Sequence, residues 1–397
     1  MLRVMHTSSS LLLLRNATVY APESLGVLDL LIGGGRLLWM GPRLDGLPSA
    51  LGAEVLDLDG RIVIPGLIDG HAHLTGGGGE AGPDTRVPPP FLSQYTLAGV
   101  TSVVGVLGTD DVTRTTGELV VTARGLIAEG LSAWCHTGGY HLPPVTLTGS
   151  VRSDITHVDR IIGVGELALS DHRSSQPTVQ ELLRVAADAH VGGLMTGKAG
   201  IVHLHLGDGA RGLELVREAL ATSELPPRVF NPTHVNRRRG LFTEALALAR
   251  GGSWVDITAF PVGPEEDAWS AADALAQYLA SDAPAGRVTV SSDGGGCLPV
   301  FDTEGRVEQM GVGDAGALLA TVRELVARGL PLAQVLPAFT SNVADLLRLS
   351  GKGRVAVGGD ADLVVLDAAL GVAHVIARGV WHVRHGQAVR RGLFEPR

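Results

Sequence analysis

The period of hydrophobic and polar positions changes twice along this chain. Over the first 64 residues short apolar runs are broken by Gly and Asp, as in LLLLRNATVYAP, LDLLIGGGRLLWMG and AEVLDLDGRIVIPG, which reads as strands joined by turns. The last 45 or so residues return to that style in GRVAVGGDADLVVLD and VAHVIARGVWHVRHGQAV. Between them short apolar strands alternate with helical patterns. In TVQELLRVAADAHVGG, for example, Val179, Leu182, Leu183 and Ala186 share one face. Further helices are expected in TGELVVTARGLIAEG, RGLELVREAL, LFTEALALARGG and AADALAQYLA.

Eight strand candidates lie in the middle section: LIDGHAH, TSVVGVLG, SAWCHTG, RIIGVGELAL, GIVHLHLG, RVFNPTHV, SWVDIT and RVTVSSD. Eight strands alternating with helices predict an α/β fold, a (β/α)8 TIM barrel of parallel units. The strand-rich ends are each too small to bury a core alone. They are expected to pair as a small β-sandwich, with residues 1–64 and 351–397 flanking a barrel of residues 65–350.

Composition narrows the function classes. With a formal net charge of -9 and no basic run longer than Arg237–Arg239, the chain lacks the basic face that nucleic acid requires. Two cysteines, Cys135 and Cys297, make no disulfide framework and suit a reducing, cytoplasmic compartment. The Leu11–Leu14 run is too short for a secretory signal. No apolar run approaches the roughly 18–20 residues that span a bilayer, so no membrane role is expected.

Barrel active sites lie at the C-terminal ends of the strands, and the candidate chemistry falls there. Strand one ends in His71-Ala72-His73, whose spacing puts both imidazoles on one inward face. Strand four carries Glu166, strand five His205, strand six His234 and strand eight Asp293. Any one of these is as readily a capping or core residue. Recurring at five strand ends, the six together suit two divalent cations bridged by a carboxylate, and nitrogen-plus-carboxylate donors suit zinc. His203 faces inward but deeper, as barrel filling. His136, His141 and His172 near the rim are candidate orienters of the ligands.

PGLIDGHAHL at 65–74 resembles the strand-one signature of the amidohydrolase superfamily, and GKGRVAVGGDADLVVLD resembles the return of that superfamily to its small domain. GGGGEAGPDTR, AGVTSVVGVLGTD, TGGYHLPP, SDHRS, PTHVNR and SSDGGG together resemble the bacterial isoaspartyl dipeptidases over nearly the whole chain. The resemblance implies hydrolysis of the β-linked amide of a small dipeptide by a metal-bridging hydroxide, in a large homo-oligomer. It implies that His71 and His73 hold the more buried ion, His205 and His234 the more exposed one. Asp293 would ligate metal and exchange a proton with the hydroxide, and Tyr140 would donate to the developing oxyanion. Gly78, Glu80, Thr109, Tyr140, Arg173 and Arg237 match positions that handle substrate, with Glu80 facing the substrate ammonium and the two arginines its carboxylates. Other readings of these residues are a salt bridge of Arg173 with Asp171, a solvated cluster for Arg237, and a simple cap of the barrel mouth for Tyr140.

Two departures stand out. The family commonly places a carbamylated lysine at the end of strand four, where this chain reads IIGVGELALSDHR, with Glu166 as the available carboxylate. Glutamate is shorter, so the backbone at Gly165–Glu166 must come closer to the metals. An apparent extra residue in this stretch offers a bulge, without which one metal rather than two is expected. Cys297 stands where a serine is usual, and its thiol either touches substrate or metal or is packed and unreactive. Rival activities on the same scaffold are cyclic-amide hydrolysis (dihydroorotase- or hydantoinase-like) and N-acyl-amino-acid deacylation. A non-enzymatic scaffold is a further alternative.

Overall fold

All eight middle strands form where the apolar runs place them. The computed structural model describes residues 11–301 and 307–396; residues 1–10, part of the expected small domain, lie outside the described residues. The barrel strands are Leu67–Ala72, Val100–Gly105, Ser132–Thr137, Ile161–Leu169, Ile201–Leu206, Phe230–Thr233, Val255–Thr258 and Val288–Ser291. The first six make one parallel sheet and the last two a parallel pair. The ring closes through the Val235 N–H on the Asp256 carbonyl and the His73 N–H on the Gly294 carbonyl, 2.8 Å. This is the (β/α)8 barrel that the alternation predicted.

The helices behind the strands carry their own start signals. Thr115, Thr178 and Ser270 cap Thr116–Glu129, Val179–Thr196 and Ala271–Ala280, each hydroxyl accepting an otherwise unpaired N–H of the first turn. Leu182 and Ala186 are buried, with Val179 and Leu183 packed at the edge of the same core. At the strand starts, Ile68, Ile162 and Ile201 pack with Val343, Leu346 and Leu347 of the helix Ser341–Leu347. That end of the barrel is therefore filled with hydrocarbon, and the polar residues gather at the opposite end. A hairpin, Cys297–Phe301 with Val307–Val312, follows the eighth strand; no periodic signal marked it.

The chain ends meet as expected. Ile62–Pro65 runs antiparallel to Leu363–Leu366, inside a nine-stranded mixed sheet built from both termini. Strand Leu12–Tyr20 is bulged between Leu14 and Ala17 and pairs with Glu54–Asp57 at one end and Ile62–Pro65 at the other. The sheet thereby encloses its own apolar cluster, with Leu14, Leu30, Val63 and Leu363 at its centre. Among the described residues no helix is long and apolar enough to cross a membrane.

Candidate metal centre and substrate pocket

The extra residue in the fourth strand is a bulge. Val164 pairs with Val202 and Leu167 with Leu204, so Gly165 and Glu166 together oppose the single His203. Gly165 has φ 143°, and a Cβ there would lie 2.4 Å from the His203 carbonyl oxygen, which only glycine avoids. The bulge turns Glu166 into the barrel mouth, where it is buried. Its Oε1 faces His73 Nε2 at 3.5 Å. Its Oε2 lies 3.1 Å from His205 Nδ1, 3.5 Å from His234 Nε2 and 3.6 Å from His71 Nε2.

The six candidate ligands converge. Donor atoms of His71, His73 and Asp293 lie within 4.8 Å of one another, as do those of His71, Glu166 and His234; His205 joins through Glu166. Neighbours set which nitrogen of His71 and of His234 faces this centre. With Asn231 Oδ1 accepting from His203 Nδ1 at 2.7 Å, His203 Nε2 accepts from His71 Nδ1 at 2.8 Å. In the neutral ring the lone pair of His71 is then on Nε2. For His234, Nδ1 bonds Thr258 Oγ1 at 2.7 Å and Nε2 turns inward. His203 is thus an orienting residue rather than filling, and His136 stacks beneath it, ring centroids 5.4 Å apart. His141 holds Asp111 and the Arg173 carbonyl, each at 3.1 Å. His172 is exposed and touches none of the six ligands, lying 3.6 Å from Asp171 Oδ1.

The electrostatics call for a cation. Burial pushes the Glu166 carboxyl up, but His71, His205 and His234 outweigh it and hold it well below the usual range. Asp293 follows the same pattern, with burial overcome by His71 and His73. Burial pushes the His71 imidazole down, and the two carboxylates more than reverse this, to about 9, so the pocket favours positive charge there. Among the described residues His71 Nε2 and Asp293 Oδ1 are buried without a hydrogen-bond partner, 3.4 Å apart. Such unpartnered lone pairs around one point are what a divalent ion satisfies.

A second layer of charge rims the centre. Tyr140 is buried, with Oη 2.8 Å from His205 Nδ1. Arg173 donates to Glu80 Oε1 at 3.2 Å, and Thr109 Oγ1 donates to the same oxygen at 2.9 Å. Arg173 also makes the alternative salt bridge with Asp171, at 2.7 Å; both contacts coexist. Arg237 Nη1 bonds the Leu206 carbonyl at 3.1 Å and reaches within 3.4 Å of His205 Nε2, so it lies in the mouth rather than in a solvated cluster. The Cys297 thiol donates to Met310 Sδ at 3.6 Å and packs on Gly78, and burial pushes its pKa up.

Sequence reasoning missed Arg114. This buried guanidinium donates to the carbonyls of Thr75, Gly77, Gly78 and Val87 and to Asp110. It pins the glycine run that carries Glu80. Gly78 has φ 70°, and a Cβ there would sit 2.5 Å from the Thr85 carbonyl oxygen. A lone arginine beside TRTTG gives no local signal for this, because its carbonyl acceptors lie 27–39 residues away.

Comparison with known proteins places the chain in a family. The amidohydrolase family model matches residues 179–382. The crystal structure of a β-aspartyl dipeptidase from Fervidobacterium islandicum AW-1, in complex with β-Asp-Leu dipeptide, is 41% identical with a TM-score of 0.88, covering 95% of this chain and 98% of that one. Dihydropyrimidinase from Brevibacillus agri NCHU1002 (17% identity, TM-score 0.66, 96% and 97% covered) shares the fold. An imidazolonepropionase of Ruegeria sp. (strain TM1040) is 26% identical over 384 residues, 89% of this chain and 90% of the relative. The chain belongs to the amidohydrolase family and, by its identity over nearly the full length, groups with the β-aspartyl dipeptidases within it.

Proposed function

We propose that this protein hydrolyses the β-linked amide of β-aspartyl dipeptides, using two zinc ions held by His71, His73, Glu166, His205, His234 and Asp293. The observation that carries the metal reading is the division of Glu166: one oxygen faces His73 and the other faces His205 and His234, with His71 slightly farther at 3.6 Å. When bound, such ions supply Lewis acidity and bring the pKa of water toward neutrality. The protein's own groups do the rest. Asp293, held anionic by two imidazoles, accepts the proton of the attacking water and returns it to the leaving amine. Tyr140 donates to the oxygen on which charge develops. Burial pushes its phenol well above its ordinary pKa, so it stays a donor at neutral pH.

The substrate is a zwitterion, and the mouth is built of matching charges. Glu80 receives the α-ammonium; Arg173 and Arg237 pair with carboxylates. The existing Glu80–Arg173 contact keeps both charges compensated until substrate separates them. A cyclic diamide offers no ammonium for Glu80, which disfavours the hydantoinase-like alternative. A cytoplasmic homo-oligomer belongs to the same reading.

The test is steady-state hydrolysis of β-Asp-Leu beside α-Asp-Leu and dihydroorotate, with zinc content measured. Selective cleavage of β-Asp-Leu at about two zinc ions per chain is expected. Metal without that cleavage would move the substrate assignment to a rival amide. Arg237→Met is expected to raise KM for β-Asp-Leu about tenfold or more, the worth of one charged hydrogen bond, with kcat less affected. An unchanged KM would remove Arg237 from the clamp.

A further inference from the structure

We propose that Asp171 is a positioning residue that holds the ligand histidine His205 and the substrate arginine Arg173 at once, so that one carboxylate couples the metal centre to the substrate clamp. The inference rests on the metal reading of His205 given above and adds a residue to it.

Asp171 follows the fourth barrel strand and is buried. Its Oδ2 lies 3.1 Å from His205 Nε2 and accepts from Arg173 Nη2 at 2.7 Å. Its Oδ1 accepts from the Arg173 main-chain N–H at 2.8 Å and from Nε at 3.0 Å. A carboxylate offers about four acceptor sites, and these four contacts use them. Both oxygens face the Arg173 guanidinium, and a carboxylate so paired is an acceptor only.

Two consequences follow from that. His205 must carry its proton on Nε2, which leaves the Nδ1 lone pair toward Glu166 Oε2, the side on which an ion is bound. The Arg173 fork is fixed from behind, leaving Nη1 to reach Glu80. Arg173 Nη2 and Arg237 Nη1 each come within 3.4 Å of His205 Nε2. Donors so close to a protonated nitrogen repel it unless an anion lies between, and Asp171 supplies that anion. The fold also reserves the space. A Cβ on Gly207, two residues after His205, would lie 2.5 Å from both Cβ and Oδ2 of Asp171.

The experiment compares Asp171→Asn, Arg173→Gln and Gly207→Ala with the wild type, each loaded with zinc. Two quantities are read: the chelator concentration that releases each ion, and KM against kcat for β-Asp-Leu. Asp171→Asn turns one acceptor oxygen into a donor opposite His205. One ion is expected to leave at about 10–100-fold lower chelator, and KM to rise about tenfold or more. Arg173→Gln is expected to raise KM while releasing zinc as the wild type does. Should Asp171→Asn fail to fold, Gly207→Ala gives the same reading, because it displaces the carboxylate without removing its charge. Wild-type zinc release from the Asp171 variant (or, in its place, the Gly207 variant) would overturn the proposal. So would an equal loss of zinc from Arg173→Gln, since the arginine rather than the carboxylate would then hold His205. Zinc release is measured without substrate. A wild type inactive on β-Asp-Leu would therefore sink the substrate reading alone and leave this test to decide.

Discussion

Replacing Glu166 by alanine is expected to strip the protein of much of its zinc and to slow hydrolysis of β-Asp-Leu by on the order of a thousandfold, since loss of a bridging ligand removes several kcal/mol of charge stabilisation. The side chain is buried among His71, His73, His205 and His234. Without it no anion faces all four imidazoles, since Asp293 lies beside only His71 and His73, and the centre has lost one of the two carboxylates that offset the dications. The bulge makes the residue hard to replace from elsewhere, because Gly165 brings the backbone against the His203 carbonyl. The nearby Lys198 ammonium is committed to the carbonyls of Ile155 and Val158 at 2.6 and 2.7 Å. Reconstitution is accordingly expected to be independent of added bicarbonate. Wild-type zinc content and rate in Glu166→Ala would remove the bridging role, and a strong bicarbonate dependence would point to a carbamylated lysine instead.

Asp293→Asn is expected to lower kcat by about 10²–10⁴-fold, the range for loss of a positioned proton acceptor, with a much smaller change in KM. Asparagine keeps an oxygen near His73 Nε2, now 3.0 Å from Asp293 Oδ1, but it has no basic lone pair for the proton of the attacking water. Zinc content separates the two roles of this residue. A slow variant that retains its zinc assigns Asp293 to proton transfer. If excess zinc restores the rate, Asp293 serves only as a ligand.

Local pattern carried much of this molecule. Eight apolar runs became eight barrel strands, and AADALAQYLA became the helix Ala271–Ala280, because strand and helix periods are properties of neighbouring residues. Strand ends follow from the same pattern, so His71, His73, Glu166, His205, His234 and Asp293 could be placed at one rim. The extra residue in IIGVGELAL could be counted, and the structure makes it a bulge. Contacts across the ring were not legible. His203 to His71 spans 132 residues, Arg114 to the glycine run 36–37, and Asp171 to His205 34. Each depends on the register in which the barrel closes, and no local period encodes that. The hairpin after the eighth strand was hidden for a similar reason, since its two arms are stabilised by pairing with each other rather than by a pattern either one displays. Residue type and strand position thus set which chemistry is available, and ring closure decides which nitrogen, which oxygen and which arginine face each other.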